Sequence, residues 1–521
     1  MFVSRNKITY LPNYQITAVS APRWYFQSRR KISPFFALFA PPVVSSSLLE
    51  EVIGQRFAQV LVLYEDGCYQ FFLDSPSQER IAASLFERVS REPLFIRKLT
   101  EEVKQEGQKL LGIARRFLDG DLESRPSSAL RRIFHRYREA YSRMFARGVS
   151  AVLVDRPLIT HLQSVLAQKV QREGDPFSEV FTALSTSPDV NWHLKEEEEL
   201  RSIARRALKD EQFARAVASG SMSREGLAVF PETSAALERH TERFGWLPHD
   251  YEASSWTPSE IADRFFEFAA SAKSAARVQT IRTRVAKIKH SQQFLIDRFK
   301  IEPQDAGLFE ALRHCVYLKH FRKNFDVRAC LGLDAFFAVL QHRSTLSHEA
   351  LLALSPEEVE QLLDGATFSE AELLARRGRS AFLTEDGATS IFTGSQTDPW
   401  FAQASVDQDI ADTNMVRGLT ACPGRAEGPT RLVLDLAGLK KITQGDVMIV
   451  MDVLPEYLSV LRRCSALIAD GGATITSHVA TIAREVGLPA LVGALNASKI
   501  FKEGALVEVN ATEGWARALN A

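Results

Sequence analysis

The residues best suited to chemistry lie near the C-terminus, in "TITSHVATIAREVG", residues 474–487. Thr476 or Ser477 is suited to cap a helix whose buried stripe is Val479, Ile482, Ala483 and Val486, and Gly487 stops it. His478 then falls in the first turn, beside backbone N–H groups without intrahelical partners and at the positive end of the helix dipole. Such a place binds anions, phosphate above all. The same dipole disfavours an imidazolium by about 0.3–1 kcal/mol. A neutral imidazole is a competent nucleophile and forms covalent intermediates. A neutral nucleophile held where a phosphoryl group is stabilised points to a phosphohistidine.

That helix needs a scaffold, and its flanks supply one. "TRLVL", "DVMIVM" and "SALIAD" read as strands and "PEYLSVLRRC" as a helix, with "PALVG" and "ALVEVN" following as further strands. Strand–helix alternation of this kind makes a compact α/β domain over 417–521. Residues 395–416 are polar, lack periodicity and read as a linker, a tether that would keep a mobile histidine at high local concentration.

Residues 101–394 read as a helical domain, and 1–100 as a small α+β region with a hairpin at Asp66-Gly67 in "QVLVLYEDGCYQFFL". Two helix starts are well signed, Thr257-Pro258 with Glu260 and Ser355-Pro356 with Glu358. Val278, Ile281, Val285, Ile288, Gln292, Leu295 and Phe299 form a packing seam with Gln292 its one polar member. The fold class predicted is multidomain α+β: a mostly helical N-terminal and middle region, then a C-terminal domain of mixed strands and helices.

"TSHVATIAREVGLPALVG" resembles the phosphohistidine signature of the swivelling β/β/α domain in phosphoenolpyruvate synthase, pyruvate phosphate dikinase and rifampin phosphotransferase. "GLTACPGRAEGPTRLV" and "GDVMIVMDVLPEYLSVLRRCSALIADGG" are similar to that domain's opening and to its approach to a diglycine. The resemblance implies that His478 is phosphorylated and that Thr476, Ser477, Gly472 and Arg484, the helix's conspicuous basic residue, bind the phosphate. One departure is visible: "ATIT" separates Gly472 from Ser477, a longer loop than the family pattern has.

Such relatives load the histidine through an ATP-grasp module or a phosphoenolpyruvate-binding barrel. Neither is evident here, and no G-x-x-x-x-G-K-[ST] occurs. "HTERFGWLPHDYEASSWTPSEI", "LLALSPEEVEQLL" and "LLARRGRSAFLTEDGATSIFTG" resemble the middle domain of rifampin phosphotransferase and phenylphosphate synthase. That resemblance implies a split phosphotransferase. A separate ATP-grasp partner would bind ATP and Mg2+ and load His478, and the helical domain would present a small-molecule acceptor or dock the partner. The alternative is a non-catalytic docking or regulatory protein that keeps the phosphohistidine fold.

Composition excludes little else. Lys plus Arg and Asp plus Glu each number 64, so net charge argues for no partner. Residues 271–330 hold thirteen Lys/Arg against five Asp/Glu, read as a solvated helical face rather than a nucleic-acid site. The five cysteines are scattered, and His314 and His320 do not share a helical face, so no metal site is expected. The N-terminus lacks a signal-peptide core, and "PFFALFAPPVV" is too short to cross a membrane, which predicts a cytoplasmic protein.

Overall fold

The computed structural model describes residues 24–118, 121–173, 175–249, 251–252, 255–272, 281–404, 414–433, 436–439, 441–451, 457–470, 474–494 and 496–519. Two compact units emerge. The described residues up to Ser185 and from Ile301 onward form one, and those within Thr186–Lys300 form the other.

The first unit begins with an antiparallel sheet of β1 (Trp24–Lys31), β2 (Gln59–Glu65), β3 (Cys68–Asp74), β4 (Arg379–Glu385) and β5 (Ala388–Thr393), ordered β1-β3-β2-β4-β5. Asp66 and Gly67, at φ 49° and 80°, make the tight β2–β3 turn that the Asp-Gly pair predicts. Asp386 and Gly387 repeat it between β4 and β5 at φ 48° and 78°. Because β4 pairs with β2, the N-terminal α+β region is completed by strands more than 300 residues later.

Leu61, Leu63, Phe72, Leu383 and Phe392 line one core of this sheet, with Trp400 packed among them. Trp400 lies on the helix Asp398–Gln403, so the start of the predicted 395–416 linker is packed structure. Residues 405–413 of that linker lie outside the described residues.

Long helices Phe95–Leu118, Ser127–Glu173 and Pro303–Cys330 pack together beside the sheet. Their apolar stripes, such as Leu130, Phe134, Tyr137 and Tyr141, are buried. Pro157 interrupts the hydrogen-bond ladder of Ser127–Glu173, which continues past it. Ser355 and Glu358 close the predicted capping box.

The second unit packs Leu200, Ile203, Phe213, Leu237, Ile261 and Phe265 around short helices. Thr257 N donates to Glu260 Oε2 at 2.8 Å and Glu260 N to Thr257 Oγ1 at 3.2 Å, the other predicted capping box. On the helix Ile281–Arg298 the buried Gln292 donates from Nε2 to the Thr186 carbonyl at 2.7 Å, so the seam's polar member is satisfied. Val278 of that seam lies outside the described residues.

The C-terminal region is an eight-stranded sheet of β6 (Met415–Arg417), β7 (Leu419–Cys422), β8 (Arg425–Val433), β9 (Val447–Val450), β10 (Ala466–Ala469), β11 (Ala490–Val492), β12 (Leu506–Asn510) and β13 (Trp515–Ala518). Its order is β6-β13-β12-β8-β9-β10-β11-β7, with β8 to β11 parallel. Strands β9, β10 and β11 are buried throughout, which explains their unbroken apolar sequences.

Strands β6 and β7 stand at opposite ends of the order, yet Gly418 alone separates them, so the two ends meet there. Gly418 N donates to Gly514 O at 3.0 Å. A Cβ on Gly514, itself at φ 79°, would stand 2.8 Å from Gly418 O, so glycine is required at that approach.

Among the described residues no single helix is long and apolar enough to cross a membrane. The bent pair Pro34–Val44 and Ser47–Ile53 passes such a test only jointly, and its Phe35, Leu38, Val43 and Leu49 are buried in the fold.

Candidate functional site

Ser477 is the residue that caps the helix His478–Val486: its backbone is extended and its Oγ accepts from Ala480 N at 3.3 Å. Val479, Ile482 and Ala483 are buried, and Gly487 ends the helix in the left-handed conformation at φ 76°. His478 is therefore the first helical residue, at the end of the helix that favours anions. Gly472 lies outside the described residues.

Residues 474–477, leading into that helix, are buried or half-buried. Thr476 is fully buried, and its Oγ1 donates to Asp155 Oδ2 at 2.5 Å. Thr474 Oγ1 donates to the same oxygen at 3.0 Å and lies 2.7 Å from Thr476 Oγ1. Lys319 Nζ donates to Asp155 Oδ2 and reaches Thr476 Oγ1 at 2.5 Å. Asp155 comes from the helix Ser127–Glu173 and Lys319 from Pro303–Cys330, so two bundle helices meet the mouth of the histidine helix.

One turn further along, Thr481 Oγ1 donates to the Ser477 carbonyl at 3.2 Å and lies 2.9 Å from His320 Nε2. His320 Nε2 and Thr481 Oγ1 are thus a hydrogen-bonded pair across the bundle and the histidine helix. His320 thus joins Lys319 in holding this helix.

The surroundings of Asp155 are dry. Burial pushes the Cys315 thiol strongly up, and the nearby Asp155 charge adds to this while Lys319 opposes it. Burial also raises the Tyr25 phenol, which Arg156 lowers and Asp155 raises. In so dry a setting an ion pair persists only when its remaining hydrogen-bonding capacity is used, and the two threonine hydroxyls use it.

Arg484 sits elsewhere. It is six residues beyond His478, about 9 Å along the helix axis. Its Nε donates to the Ala421 carbonyl on β7 at 2.7 Å. Burial lowers its pKa to about 10, with the Cys422 thiol opposing that shift. The structure joins it to the sheet edge rather than to Thr474 and Thr476.

Sequence reasoning named Thr476 and Ser477 but missed Asp155, Lys319 and Thr474. A signal existed. Asp155 lies on the stripe of Ala151, Leu158 and Leu162, and Lys319 on the stripe of Leu308, Leu312 and Cys315, each a charge continuing a buried apolar stripe. Among the described residues no group of three or more His, Cys, Asp or Glu is placed to hold a metal ion.

Comparison with known proteins addresses the C-terminal part of the chain. The family model described as "PEP-utilising enzyme, mobile domain" matches residues 442–514. The probable phosphoenolpyruvate synthase of Archaeoglobus fulgidus is 30% identical over 113 residues, 22% of this chain and 15% of its own length. The phosphoenolpyruvate synthase of Aeropyrum pernix is 38% identical over 101 residues, 19% of this chain and 12% of its own. That of Neisseria meningitidis serogroup B is 37% identical over 99 residues, 18% of this chain and 12% of its own. Holo-form aconitase X of Thermococcus kodakaraensis matches 20% of this chain and 98% of its own at 20% identity, with a TM-score of 0.17, too slight a likeness to argue from. Residues 442–514 thus resemble the mobile domain of phosphoenolpyruvate-utilising enzymes. The chain spans less than a sixth of the length of these curated relatives.

Proposed function

We propose that the chain is the phosphohistidine component of a phosphotransferase, with His478 the carrier. The observation that supports this best is the place of His478 as first residue of a well-capped helix in the matched segment. There the neutral imidazole nitrogen attacks the donor's phosphorus, the donor's P–O bond breaks with its electron pair leaving on the oxygen, and the N-terminal dipole favours the negative phosphoryl oxygens. Thr476 and Ser477 stand on the phosphate side. The imidazole then yields the group to a small-molecule acceptor, an alcohol, phenol or enol, and recovers its lone pair.

In this reading ATP and Mg2+ belong to a separate ATP-grasp partner in the cytoplasm. A second reading, a docking protein without catalysis, draws on one observation: the Thr474 and Thr476 hydroxyls are already engaged by Asp155.

Labelling in native cell extract separates the two. Base-stable, acid-labile label from ATP should appear on the wild type and vanish in His478→Ala. Label from the β position would indicate dikinase-type loading. No label from ATP at either position, nor from phosphoenolpyruvate, would leave the docking reading.

A further inference from the structure

Three donors from separate parts of the chain converge on a single oxygen. Lys319 Nζ, Thr474 Oγ1 at 3.0 Å and Thr476 Oγ1 at 2.5 Å all meet Asp155 Oδ2. A carboxylate offers two oxygens and about four lone-pair positions, so crowding three donors onto one is not needed to satisfy it. An ammonium and two hydroxyls around one oxygen is, however, a donor set that suits a phosphoryl oxygen, with charge-assisted contacts. The donors are split between bodies of different kind: Lys319 from the bundle, and the threonines from the loop entering the histidine helix. The Asp155 side chain is 3% exposed and that of Lys319 15%, so an anion reaching this point is largely desolvated and strongly held.

We propose that Lys319, Thr474 and Thr476 form a phosphoryl-oxygen site shared by the helical bundle and the C-terminal domain, and that Asp155 is the internal anion filling it until a phosphoryl group arrives. The donors accept one anion at a time, because a carboxylate and a phosphoryl oxygen at the same point repel. A loaded domain therefore displaces Asp155 on docking and an unloaded one is held by it, so the bundle discriminates the two states. His320, through Thr481, holds the helix in either state. The physiological role rests on the reading of His478 as carrier; the donor set does not.

The test uses the full chain and inorganic phosphate, with affinity measured by isothermal titration calorimetry at neutral pH and low ionic strength. Asp155→Asn, which removes the charge at constant shape, should bind phosphate at least about tenfold more tightly than the wild type. Asp155→Asn with Lys319→Met should lose that gain, and Asp155→Asn with His478→Ala should keep it, which separates this proposal from the carrier reading. No gain in Asp155→Asn, or a gain that survives the loss of Lys319, overturns it. Asp155→Ala serves if the Asn variant folds poorly. A further measurement leaves Asp155 intact: excess phosphate should raise the melting temperature of the wild type more than that of Lys319→Met. Equal shifts contradict the site.

Discussion

Two buried ion pairs in the same compact unit are built on different plans. In the region 353–376, Arg376 grips Glu358 with both terminal guanidinium nitrogens, at 2.7 and 3.0 Å, and both side chains are almost wholly buried. Glu358 also completes the capping box with Ser355, so one carboxylate fixes a helix start and a cross-contact. At the mouth of the histidine helix, Asp155 meets a lysine and two hydroxyls, all donors that rotate. The planar fork of Arg376 matches the two oxygens of a carboxylate in one geometry. The Lys319 cluster holds an oxygen without demanding a carboxylate. One arrangement pins the fold, and the other suits an anion that changes.

The comparison is sharpest in stability. Arg376→Ala leaves Glu358 buried without its counter-charge and should cost about 3–5 kcal/mol in denaturant unfolding of the unit that contains it. Asp155→Asn keeps the acceptor oxygen and leaves Lys319 partly exposed, so its cost should be smaller, about 1–3 kcal/mol. Equal losses from the two variants would mean that the Asp155 cluster is as fixed as the Arg376 fork. Ser477→Ala removes the cap of the histidine helix and should cost about 1 kcal/mol, read as faster amide exchange in its first turn. Thr257→Ala removes a cap in the other unit for a similar cost and should leave phosphate binding unchanged.

Much of the fold is legible in sequence because it is local. The Asp66-Gly67 turn, the Ser355 and Thr257 capping boxes and the Ser477–Gly487 helix each rest on a few adjacent residues. The buried parallel strands β9 to β11 announce themselves as apolar runs. What stays hidden is long-range pairing. Nothing near Gln59–Glu65 shows that β2 pairs with β4 at Arg379–Glu385, and a polar stretch concealed that Trp400 fills the core beside them. The candidate site divides the same way. His478, Thr476 and Ser477 share one motif, while Asp155 meets Thr476 across a separation of 321 residues. Its only trace is a charge on an apolar stripe, which names no partner.

The carrier role of His478 is tested most directly by isolating the chain from its native cells at neutral pH and mapping phosphorylation by mass spectrometry of its peptides. The carrier role requires a phosphoryl group on His478 that is lost on brief acid treatment. Phosphorylation confined to other residues, or an unmodified His478 in cells whose other phosphohistidines survive the same isolation, would contradict it.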